Sequence, residues 1–224
     1  MINQKELHLL HKGLLFWDKL TQPEKELLNL SANSVHFNKG QSIHCGETEC
    51  IGLLIVENGS IRTYITSEEG REVTLFRLQA GDICILSASC VLETIDFDVS
   101  VDAETDCDCI QISALTLSRL FSENVYVELF SYKLATERFS DVMWVMQQLL
   151  FTRFDKRLAA FLLDESSKLN TPDIRLTHEE IARYLGSARE VVSRMLKYFS
   201  KEGYVTLSRG GIHIADKDSL RGLL

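Results

Sequence analysis

No stretch of the chain approaches the roughly 18 consecutive apolar residues of a membrane span. Met1 to Lys12 mixes Asn, Gln, Lys, Glu and His with leucine, and lacks the apolar run of a signal peptide. Both absences lead to the expectation of a cytoplasmic protein. Six cysteines stand at 45, 50, 84, 90, 107 and 109, and no CxxC pair faces a second pair or two histidines. That excludes the common zinc patterns. It also leaves a cysteine-based redox enzyme without its usual pair, so no metal and no catalytic residue is expected. In the cytosol these thiols should be mostly reduced.

What is present is ordinary for a globular protein. Hydrophobic residues make up 45% of 224 and charged residues 25%, enough for a core without staples. The net charge is −8, unevenly spread. Residues 1–150 carry 11 Lys and Arg against 22 Asp and Glu, a formal −11, and residues 151–224 carry 13 against 10, a formal +3. An acidic front and a basic rear imply two different tasks.

From His36 to Ile112 short runs of Val, Ile, Leu, Thr and Phe alternate with polar residues, most clearly over 60–65 and 72–77. Glycines at 40, 46, 52, 59, 70 and 81 punctuate them. Many short strands with regular turn signals indicate a sandwich, barrel or jelly roll. Glu57-Asn58-Gly59 and Glu69-Gly70 read as hairpin turns.

Residues 122–150 contain no Gly or Pro, which permits one long helix. Tyr132, Ala135, Phe139, Val142, Met146 and Leu149 recur at spacings of three and four, an a/d seam. A helix of that length projects about 40 Å, more than a small domain covers, so the seam is expected to join a second copy in a parallel homodimer. The expected division is a β-roll at 1–121, a dimerisation helix at 122–150 and a DNA-binding domain at 151–224.

The most informative stretch is RLTHEEIARYLGSAREVVSRMLKYFSKEGYVTLSRGGIHI at 175–214. Thr177 and Glu180 form a capping box. Ile181, Ala182 and Leu185 give the buried side of a first helix, and Gly186 the tight turn. Val191, Val192, Met195, Leu196 and Phe199 give the buried side of a second helix, which Gly203 ends. Two short β runs flank Arg209-Gly210-Gly211. Helix, turn, helix and hairpin make a winged helix-turn-helix. Arg189, Glu190, Ser193 and Arg194 stand near the start of the second helix, where side chains reach base edges in the major groove. Arginine suits guanine O6 and N7, and glutamate accepts from cytosine N4. Thr177, His178, Ser187, Lys197 and Arg209 are the expected phosphate contacts. A winged helix that contacts protein instead of DNA is the alternative.

This segment resembles the DNA-binding domain of the Crp/Fnr family. The family pattern S-R-E-x-V/I-x-R is matched by residues 188–194, with Ala188 where the serine is usual, so that Ser187 becomes the candidate helix cap. The resemblance extends forward through Phe37-Asn38-Lys39-Gly40-Gln41, Gly46-Glu47, residues 56–62 and residues 78–82, which look like the turns of the family's β-roll. It implies an α+β architecture: an N-terminal double-stranded β-helix (a jelly roll like the cyclic-nucleotide-binding domain), a long dimerisation helix and a C-terminal winged helix. It also implies a dimeric regulator that reads an inverted repeat with half-sites of the TGTGA type, controlled by a small effector and working with RNA polymerase.

The effector does not follow from the resemblance. Cyclic-nucleotide-binding relatives hold the phosphate with an arginine in the segment matching 82–106. That segment has no arginine or lysine here, and holds Glu93, Asp96, Asp98, Asp102, Glu104 and Asp106. A phosphate there is expected to meet like charge with no cation to offset it, which argues against cyclic AMP. No cofactor is predicted. Cys84 and Cys90 are the candidate sensor thiols, with buried structural cysteine as the plainer reading. Cys107 and Cys109 alternate with Asp106 and Asp108, placing thiols on one strand face and carboxylates on the other.

Overall fold

The computed structural model describes residues 2–45, 51–85 and 99–224. Two compact units emerge, Met1–Ile65 with Leu75–Val142, and Thr66–Thr74 with Met143–Leu224.

The first unit opens with two helices absent from the sequence reading, α1 (Gln4–Gly13) and α2 (Gln22–Ser31), on either side of a 3-10 turn at Trp17–Lys19. Each starts with a capping box, Asn3 with Glu6 and Thr21 with Glu24. Strands follow: β1 (Ala32–Phe37), β2 (Ser42–Cys45), β3 (Leu53–Asn58), β4 (Ser60–Thr66), β5 (Glu72–Gln79), β6 (Ile83–Cys84), β7 (Ser100–Ala103) and β8 (Cys107–Ile112). They build two four-stranded sheets in the orders β1-β8-β3-β6 and β2-β7-β4-β5. Ile43, Leu54, Val56, Ile61, Leu78, Val101 and Ala103 form one buried cluster. Apolar residues of α1 and α2 join Leu53, Ile55, Ile110 and Ile112 in another.

Of the two expected hairpins, one is confirmed and one corrected. Glu69-Gly70 does turn β4 into its neighbour β5, with Gly70 at φ +77°. Glu57-Asn58-Gly59 does not make a hairpin, because β3 and β4 lie in different sheets. Gly59 holds φ +81° at a corner where an added Cβ would sit 2.2 Å from the Asp106 carbonyl oxygen. The glycine signal was real, but a corner and a hairpin ask for the same left-handed residue.

Two helices, α3 (Ala114–Glu123) and α4 (Val125–Phe151), follow β8. The long helix thus starts after a break at Asn124, whose backbone is extended at φ −133° and ψ 109°.

The second unit contains α5 (Phe154–Lys168), β9 (Asp173–Ile174), α6 (His178–Leu185), α7 (Arg189–Lys201), β10 (Val205–Ser208), β11 (Gly211–Ile214) and α8 (Lys217–Arg221). Its sheet runs β10-β11-β9. Leu158, Leu162, Ile181, Val192, Leu196, Phe199 and Leu220 pack as its core.

Candidate nucleic-acid interface

Local chemistry fixes the helix pair. The Glu180 amide donates to Thr177 Oγ1 (3.1 Å), and the Thr177 amide donates to Glu180 Oε2 (2.7 Å), so α6 begins where the capping box places it. It ends at Gly186 in the left-handed region, φ 57° and ψ 45°. Arg157 donates to the Leu185 carbonyl at 2.9 Å, satisfying one of the carbonyls that a helix end leaves open.

The start of α7 corrects one expectation. Ser187 does not cap it. Ala188 is the N-cap and makes no side-chain bond. The Ser187 amide is spent on the Ala182 carbonyl at 2.9 Å, which closes the turn. An uncapped helix start leaves amide groups for solvent or an anion. At the other end the Tyr204 amide returns to the Phe199 carbonyl at 2.9 Å, with Gly203 at φ +82°. This is the glycine-terminated closure expected at Gly203.

Val192, Leu196 and Phe199 are fully buried. That anchors α7 by one side and turns Arg189, Glu190, Arg194 and Lys197 to solvent, with Ser193 half-buried beside them. Among the described residues none of these charged groups is in an ion pair, although Glu190 and Arg194 stand one turn apart on the helix. Their heads are therefore free to be read by a ligand.

The hairpin β10–β11 pairs Ser208 with Gly211, leaving Arg209 and Gly210 as a two-residue tip with Arg209 exposed. The sequence reading missed β9, which pairs Ile174 with Ile212 and makes the wing three-stranded. A two-residue strand gives too short a pattern to detect. Between the wing and the helix pair lies an open groove of about 380 Å³, bordered by Thr177, His178, Glu179, Arg189, Ser208 and Gly210. Burial holds the His178 imidazole below its usual pKa, reinforced by the positive charges of Arg189 and Lys197.

The candidate thiols separate. Cys84 is buried within the β-roll core, 1% exposed, which removes the access that a reactive thiol needs. Cys90 lies outside the described residues. Cys107 and Cys109 do share one face: their sulfurs are 3.4 Å apart in the same core. The hydrogen bond with Cys107 and burial push the Cys109 thiol up. Asp108 faces outward to His36 at 2.7 Å, and Asp106 accepts from the Lys39 amide. Among the described residues no three groups are placed to hold a metal ion.

Two of the acidic residues in 82–106 are not bare, which corrects the like-charge reading. Asp102 pairs with Arg62 at 3.3 Å and Glu104 with Arg77 at 2.7 Å. The cations come from β4 and β5, outside residues 82–106. Glu93, Asp96 and Asp98 lie outside the described residues.

The exposed face of α4 is rotated from the expected seam. Ala135 and Val142 pack against buried residues of their own unit. The solvent-facing row runs through Val125, Leu129, Tyr132, Thr136, Phe139, Met143, Met146 and Leu150. These alternate in steps of four and three, as a coiled-coil seam does. Tyr132, Phe139 and Met146 are common to both readings. Leu149 lies near the edge of the row, its methyl 3.2 Å from where a Gly186 Cβ would stand.

Comparison with known proteins agrees with this geometry. A model of the Crp-like helix-turn-helix domain matches residues 156–223, and one of the cyclic nucleotide-binding domain matches residues 34–124. A Crp/Fnr-family protein of Eubacterium rectale is 44% identical, with a TM-score of 0.92 over 95% of this chain and 98% of that one. The cAMP-activated global transcriptional regulator Vfr of Pseudomonas aeruginosa is 26% identical over 75% of this chain and 81% of its own. The cAMP-activated global transcriptional regulator CRP of Salmonella typhimurium is 27% identical over 75% of this chain and 82% of its own.

Proposed function

Because the chain belongs to the Crp/Fnr family of DNA-binding transcription regulators, we propose that two copies join along α4 and read an inverted-repeat operator with their α7 helices. Arg189, Glu190, Ser193 and Arg194 contact bases. Thr177, His178, Ser187, Lys197 and Arg209 contact phosphates. The observation that carries this is the unpaired, exposed row Arg189-Glu190-Arg194 on a helix whose opposite side is locked into the core. The uncapped α7 start and the adjoining groove support it, since both favour an anionic backbone.

The regulator works in the cytoplasm beside RNA polymerase, and its β-roll receives a small effector. The relatives Vfr and CRP are cAMP-activated regulators. Cyclic AMP is not the proposed effector here, because residues 82–106 supply no arginine or lysine for its phosphate. Arg62 and Arg77 are already matched by Asp102 and Glu104. No helix among the described residues is long and apolar enough to cross a membrane.

Selection from random DNA followed by a salt titration tests the reading. The expected outcome is an inverted repeat whose affinity falls steeply with salt, roughly as the 0.9 power per phosphate contact. Failure to enrich any sequence refutes it. Calorimetry with cyclic AMP and cyclic GMP is expected to show no heat at about 100 μM protein, and micromolar binding overturns the effector proposal.

A further inference from the structure

His178 is the first residue of α6, one position after the capping threonine. The residue borders the groove, with Arg189 of α7 and the wing residues Ser208 and Gly210 also lining it. Among the described residues the imidazole has no hydrogen-bond partner. The charged groups around it are unevenly matched. From its own helix Glu179 borders the same groove, and Glu180 is committed to the capping box with Thr177. From α7 come Arg189 and Lys197. From the wing comes Arg209, exposed between two groove-lining residues.

A cation at this position is disfavoured while the groove is empty. The amides at a helix start carry partial positive charge, and Arg189 and Lys197 add to it. Burial acts in the same direction. An incoming phosphate reverses all of this. It brings negative charge to the helix start and gives the ring N–H a charge-assisted acceptor.

We propose that His178 is a proton-coupled grip on a DNA backbone phosphate: its imidazole gains a proton as the phosphate enters the groove. The proposal rests on the DNA-binding reading above and adds a proton to its stoichiometry. The proton comes from solvent, and no covalent bond changes. The sign follows from linkage. The ring's pKa is low in the free protein and raised in the complex. Operator affinity therefore increases as pH falls through the bound-state value, and levels off below the free-state value.

The test uses the full-length protein and its selected operator at fixed ionic strength, in buffers free of phosphate. Anisotropy from about pH 8 to about pH 6 is expected to show affinity rising several-fold per protomer, with a ceiling of tenfold per pH unit for each proton. Calorimetry in buffers of different ionisation enthalpy is expected to show proton uptake. H178Q is expected to bind with that part of the pH slope and uptake removed. H178R is expected to bind tightly with a flat profile. His213→Gln changes an exposed histidine paired with Asp173 on the wing sheet, and should retain the slope.

Equal slopes and equal proton uptake for wild type and H178Q overturn the proposal while leaving DNA binding intact. Absence of operator binding at every pH overturns the DNA-binding reading instead. Should H178Q fold poorly, the ring of His178 in the wild-type protein can be titrated by NMR with and without operator. A pKa that does not rise on binding is equally fatal.

Discussion

Arg62 on β4 and Asp102 on β7 stand directly opposite each other in register, with 3.3 Å between Nη2 and Oδ2. The arginine side chain is only 7% exposed and its guanidinium lies 4.0 Å from the centre of the Tyr64 ring. Removing the carboxylate takes from a buried cation its partner on β7. Asp102→Ala should cost about 1.5–3 kcal/mol, as for a hydrogen bond to a charged group. Urea unfolding followed by tryptophan fluorescence of a Trp144→Phe background reads it, since Trp17 packs against the core of this unit. A double-mutant cycle with Arg62→Met should show coupling of the same sign. Loss below about 0.5 kcal/mol would mean that the pair is screened like a surface bridge.

This pair also shows where sequence reading stops. The acidic run in 82–106 is plain, but the partners of Asp102 and Glu104 sit on strands 40 and 27 residues earlier, and register across a sheet is not written in either segment. The helix-turn-helix was legible nearly residue by residue, because its signals are local: a capping box, a turn glycine and apolar residues at helical spacing. The strands at 60–65 and 72–77 were legible for the same reason. α1 and α2 were missed although Thr21 and Glu24 spell the same box as Thr177 and Glu180. On α4 the exposed apolar row differs from the expected seam by one position at three of its six residues, Ala135, Val142 and Leu149. The helix's second row, Ala135 and Val142, is apolar too, and only contacts with distant residues such as Leu75 and Val99 decide which row faces inward.

Gly186 links α6 to α7 in a conformation that L-residues avoid. An alanine there would hold φ near +57° with its Cβ 3.0 Å from a Val73 methyl and 3.2 Å from a Leu149 methyl. Gly186→Ala should destabilise the unit by about 1–2 kcal/mol through the left-handed backbone alone, with a further loss unless those methyls give way. Thermal unfolding and operator affinity should both decline. An unchanged melting temperature would show that the turn relaxes into another form.

The two phases of the α4 seam make opposite forecasts. Phe139 is 62% exposed, and a charge there should cost several kcal/mol of dimer stability if it is buried unpaired between copies. Sedimentation of Phe139→Glu should show monomer, with loss of operator binding. Val142 instead packs on the buried pair Leu75 and Val99. Val142→Glu should lower the melting temperature of the β-roll more than it shifts the monomer–dimer balance. A Phe139→Glu protein that stays a tight dimer would remove α4 from the interface.

Arg194 and Lys197 are both exposed on α7, one turn apart, and they should fail differently. Arg194 lies one turn beyond Glu190, near the helix start, the part of a recognition helix proposed to enter the major groove. A bidentate contact to guanine O6 and N7 is geometry that lysine and alanine cannot reproduce. Arg194→Ala should cost about 1–3 kcal/mol and relax preference at one base pair of each half-site. Lys197 sits further along the helix, where a point charge meets phosphate whatever the sequence. Lys197→Ala should weaken every site alike and reduce the salt slope by about one per half-site. By the family resemblance Arg189, Glu190 and Arg194 match residues that read a TGTGA-type half-site, so the selected operator should carry a G·C pair in each half, with half-site centres about 34 Å apart. A TTGAT-like half-site is the nearest rival, because Ser193 occurs at that position in the oxygen-sensing branch of the family. Parallel selections with wild type, Arg194→Ala and Lys197→Ala decide among these outcomes. Direct repeats, halves without a conserved G·C pair, or the same relaxed logo from both variants would refute the assignment even for a protein that binds DNA tightly.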